Sequence, residues 1–73
     1  MKSYLSIWFN SEGARPMEIT DRLMGMGFRP IKGEHDYVYD WGKQATVEDA
    51  MNLIDQVHMT LKGCKVNFKL DTY

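Results

Sequence analysis

The fold class that this 73-residue chain predicts is an α+β sandwich, and three observations predict it. Apolar residues alternate in four extended segments, two stretches with helical spacing lie between them, and the order is strand, helix, strand, strand, helix, strand. With right-handed crossovers that order gives the split βαβ, or ferredoxin-like βαββαβ, two-layer sandwich. Both helices cover one face of a four-stranded antiparallel sheet in spatial order 4-1-3-2. A chain this short forms one domain, residues 1–73, with no repeat or linker composition inside it.

Each element has its own signal. Residues 2–10 place Leu5, Ile7 and Phe9 on one face and Tyr4, Ser6 and Trp8 on the other, which reads as strand one. "SEGARP" interrupts it, Pro16 suits a first helical position, and Ile19, Leu23 and Met26 recur at helical spacing until "GMG" stops a helix over 16–26. Residues 28–32 and 36–41 form a hairpin turned at "GEH". Thr46 caps the second helix, 47–62, and Asp49 three positions on completes a capping box. Val47, Ala50, Met51, Ile54, Val57, His58 and Leu61 make its apolar stripe, and Gly63 ends it. In strand four, 65–73, Val66, Phe68 and Leu70 alternate against Lys65, Asn67 and Lys69.

The stretch "KGEHDYVYDWG" spaces Tyr37, Tyr39 and Trp41 two apart, so all three share a face. The expected core under the helices is Leu5, Ile7, Phe9, Val38, Val66, Phe68 and Leu70. That leaves Tyr4, Trp8, Tyr37, Tyr39 and Trp41 on the uncovered face as an interface. Shifting strand three by one residue would bury its rings and expose Val38. The outward parity is preferred because it spares a small core three bulky rings. Five exposed aromatics exceed what a monomer displays, so a homodimer is the expected state.

Composition narrows the field further. A hydrophobic fraction of 44% with nine basic against ten acidic residues describes a globular chain, and a net charge of -1 supplies no general attraction to nucleic acid or anionic membrane. Cys64 stands alone, which excludes an internal disulfide and a thiolate cluster, and a cytoplasmic location is expected. The start, "MKSYLSIWFNSEG", alternates with Ser and is unlike a signal peptide, and no apolar run is long enough for a membrane helix. No cofactor is indicated.

"GEHDYVYDW", followed by a capped helix and "KGCKVNFKLDTY", resembles the ligand-binding domain of the leucine-responsive family of transcription regulators in its stand-alone version. That family carries a Gly-x-Tyr-Asp strand, of which Gly33 and Asp36 match while His35 stands at the Tyr position. Gly63 and Cys64 stand where it has Gly-Val. The resemblance implies sheet-to-sheet dimers that bind a small ligand, typically an amino acid, with Gly33 and Asp36 carried over as candidate ligand-binding residues; His35, which departs from the motif, is added as a candidate between them.

Other chemistry competes with simpler explanations. "GMGFR" is similar to the phosphate-cradling loop of acylphosphatases, but that loop precedes the first helix, whereas here a helix stop and a strand explain the same residues. Adjacent strand residues His35 and Asp36 point apart and do not converge on a metal ion. His58 fits a boundary histidine, and Cys64 lacks a partner histidine or thiol. No catalytic constellation is readable, so a non-catalytic binding domain is the leading expectation. RNA or single-stranded nucleic acid on the aromatic face is one alternative, opposed by the absence of RNA-recognition spacing and by Asp36 and Asp40, and a small acylphosphatase-like hydrolase, resting on the "GMGFR" similarity alone, is the other.

Overall fold

The computed structural model describes residues 1–42 and 45–73. Its elements are β1 (Lys2–Trp8), α1 (Pro16–Gly25), β2 (Arg29–Pro30), β3 (Tyr37–Asp40), α2 (Val47–Leu61) and β4 (Asn67–Thr72). The strands form one antiparallel sheet in the order β2-β3-β1-β4, the 4-1-3-2 arrangement of a ferredoxin-like sandwich. No helix among the described residues is long and apolar enough to cross a membrane.

Local chemistry sets both helix boundaries. Pro16 opens α1, and the helix closes where Gly27 N–H donates to Met24 O and Phe28 N–H donates to Leu23 O, a Schellman pair that Gly27 permits with φ of +106°. The N–H groups of "GMGF" are thus spent on carbonyls of the preceding helix rather than presented to an anion. At the start of α2, Thr46 Oγ1 accepts from Asp49 N–H and the Asp49 carboxylate accepts from Thr46 N–H, each at 3.0 Å. This is the reciprocal capping box expected from the sequence.

The core consists of Leu5, Ile7, Ile19, Leu23, Phe28, Tyr37, Leu53, Val57, Leu61 and Cys64, with Val66, Phe68 and Leu70 packed against it. Two details of the expected core are corrected. Phe9 lies past the end of β1 and is exposed, and Val38 is buried on the sheet face away from the helices, opposite Tyr4. The buried line of α2 is Leu53, Val57 and Leu61, so Val47, Met51 and His58 fall outside it.

The larger correction is the parity of β3. The register pairs Ser3 with Tyr39 and Leu5 with Tyr37, which puts Tyr37, Tyr39 and Trp41 on the helix-covered face rather than the open one. Three local fits explain it. Tyr37 Oη hydrogen-bonds Thr20 Oγ1 of α1 at 2.7 Å. Trp41 Nε1 donates to Ser3 Oγ at 2.8 Å, and Ser3 Oγ meets Thr72 Oγ1 at 2.8 Å, so a part-buried polar line runs from Trp41, just past β3, through buried Ser3 of β1 to β4. Gly27, with no side chain, lies beneath the Tyr39 ring, which packs on Phe28 and Trp41 at centroid distances of 5.4 and 4.9 Å. The polar ends of Tyr37 and Trp41 are satisfied on this face.

The two crossover loops also touch. Ala14 N–H donates to Cys64 O at 3.0 Å, and a Cβ at Gly13 would collide with that carbonyl, so glycine is needed for the approach. From α1, Arg22 donates to Cys64 Sγ at 3.1 Å and pairs with Glu18 at 3.0 Å.

Candidate interaction face

The face left open by the helices is set by β1 parity. Lys2, Tyr4, Ser6 and Trp8 point into it, and the registers add Val38 and Asp40 from β3, Arg29 from β2, and Asn67, Lys69 and Asp71 from β4. Tyr73 joins the same face, since Lys2 and Tyr73 exchange both backbone hydrogen bonds at 2.9 Å.

An aromatic row crosses this surface. The Tyr4 ring lies between His35, at a centroid distance of 5.0 Å and 31° between planes, and Tyr73, at 5.7 Å and 56°. His35 Nδ1 is 3.3 Å from Ser6 Oγ, which fixes the imidazole over β1. Trp8, 56% exposed, ends the strand beside Asn67, and Tyr73 is 68% exposed. The charges around the row are mixed: Lys2 stands opposite Asp40, and Lys69 Nζ is 3.7 Å from the Asp71 carboxylate.

The candidate ligand residues separate into different roles. Gly33 serves the hairpin turn with φ of +120°. Asp36 is structural: its carboxylate accepts from Ile7 N–H at 2.8 Å, while its own N–H donates to Leu5 O at 2.9 Å. Since Leu5 also pairs with Tyr37, Asp36 just before β3 and Tyr37 at its start both stand against one residue of β1, as in a β-bulge. Of the three, His35 alone joins the aromatic row.

The candidate interface residues separate too. Tyr4 and Trp8 hold the open face, as the alternation of β1 predicts. Tyr37 is core, and Tyr39 and Trp41 line a cleft of about 210 Å³ against Asp49, Asn52, Leu53 and Gln56 of α2. Tyr73 was not among the candidates, although its odd position, in step with Asn67 and Lys69 and against Phe68 and Leu70, assigns it to the open face.

No family model, curated protein or solved structure matches the chain. Geometry alone therefore defines its class, a ferredoxin-like sandwich with an uncovered aromatic sheet face.

Proposed function

We propose that this is a non-catalytic binding domain that engages a partner or a small ligand through the open sheet face, with Tyr4, Trp8, His35 and Tyr73 as the contact residues. The observation that carries the reading is the Tyr4 ring held between His35 and Tyr73 on a face that neither helix covers. Flat rings on a rigid sheet offer contact area at low entropic cost, and polar neighbours such as Ser6 and Asn67 can orient what binds. The resemblance to the leucine-responsive ligand-binding domain agrees with a small amino-acid-like ligand, and His35 is the residue of that motif able to meet one.

The test uses Trp8 as the reporter. Titration with a panel of amino acids should change the fluorescence of the wild type, and Trp8→Phe should lose that change while His35→Ala weakens binding by about tenfold or more. A response to the panel that Trp8→Phe keeps in full would refute this face as the site. A second reading, stacking of single-stranded RNA, draws on the same rings together with Lys2, Arg29 and Lys69. It predicts affinity that falls steeply with salt, in contrast to the weak salt dependence of a small ligand.

A further inference from the structure

The two edges of the sheet differ. β2 offers two residues, one of them Pro30, which has no N–H to give. At the opposite edge, β4 runs for six residues without proline and, among the described residues, pairs with β1 on one side and with no strand on the other. Because Tyr73 exchanges hydrogen bonds with Lys2, the two-residue period turns the peptide groups of Phe68, Leu70 and Thr72 outward. Beside this edge the apolar stripe of α2 is wider than the sheet covers. Val47 is 82% and Met51 is 55% exposed, and they share an open groove with Met1, Ala50 and Thr72.

We infer that the β4 edge pairs with the β4 edge of a second copy of this chain, antiparallel about a two-fold axis at Leu70, giving one continuous eight-stranded sheet. The register follows from charge. Outward peptide groups at 68, 70 and 72 allow only registers that pair even positions with even positions. Centring the axis on residue 69 would oppose Lys69 to its own copy, and centring it on residue 71 would oppose Asp71 to its own copy. Centring it on Leu70 sets each Lys69 opposite the partner copy's residue 71, an acid, on the open face, and Phe68 opposite the partner copy's residue 72 on the helix side. The same pairing brings the Val47 and Met51 flanks of the two α2 helices together and removes them from water. The open faces become one surface with a Tyr73 from each copy near its centre, whatever that surface binds.

Charge reversal tests the register without touching the core. Lys69→Glu alone sets two acids against two acids, and Asp71→Lys alone sets two bases against two bases. Each single variant should raise the dimer dissociation constant about tenfold or more by sedimentation equilibrium. An equimolar mixture of the two should restore it, because a Glu at 69 then meets a Lys at 71 and Asp71 meets Lys69 across the junction. Met51→Lys should also dissociate the dimer while its far-UV spectrum stays that of the wild type. A wild type that is monomeric at about 100 μM overturns the inference. So does a dimer that ignores the charge variants and is lost on Trp8→Ala, since it would then be built on the open face.

Discussion

At the scale of single residues, the positions of polar atoms decide which aromatics are inside. Tyr37 and Trp41 each reach a hydroxyl on the helix side, from Thr20 and Ser3, and Tyr39 has the bare backbone of Gly27 under its ring. Tyr39→Glu therefore introduces a carboxylate among Phe28, Trp41 and Leu53, and should cost about 3 kcal/mol in a urea titration, a large share of the stability of a domain this small. Trp8→Ala, on the open face, should move the urea midpoint much less. The inward parity had a trace in the sequence. Ser3 at the start of β1 is a small polar residue on the face of Leu5 and Ile7, where it leaves room and an acceptor for a large neighbour with a donor such as Trp41. Alternation cannot supply this, because period two is the same for either parity and a single strand does not show which partner it will face.

At the scale of elements, the end signals are local and for that reason were readable. The Thr46–Asp49 box, Pro16 at the first turn of α1 and the glycine stop at Gly27 each act within a few residues, and each lies where the spacing places it. Thr46→Ala should lower stability by about 1 kcal/mol, seen as a lower urea midpoint at unchanged slope, because the Asp49 N–H at the start of α2 loses the Thr46 hydroxyl as its acceptor. The strands are shorter than alternation suggests. β2 spans Arg29–Pro30 rather than 28–32, since Pro30 and the hairpin turn leave little ladder to form. The stripe of α2 misled in a different way. Its apolar width was legible, but the sheet covers the Leu53, Val57 and Leu61 side, and only the assembled layers show that Val47 and Met51 are left over.

At the scale of the molecule, the strand order and the core beneath the helices follow from element order and crossover handedness, which is why both are legible in the sequence. The open face was legible for β1 and wrong for β3, so the aromatic surface is a row from His35 through Tyr4 to Tyr73, with Trp8 at the end of the strand, and not a field of five rings on the two central strands. The join between the crossover loops has a practical consequence. The sole sulfhydryl of the chain sits in it, 5% exposed and held by Arg22, so an alkylating reagent can reach it only when the join comes apart. Labelling of Cys64 under native conditions is then a clock for that opening, read by mass spectrometry as one added group per molecule. Gly13→Ala, which forces the two loop backbones apart, should make the clock run about tenfold faster or more, and an unchanged rate would mean that the sulfur is uncovered by some other motion.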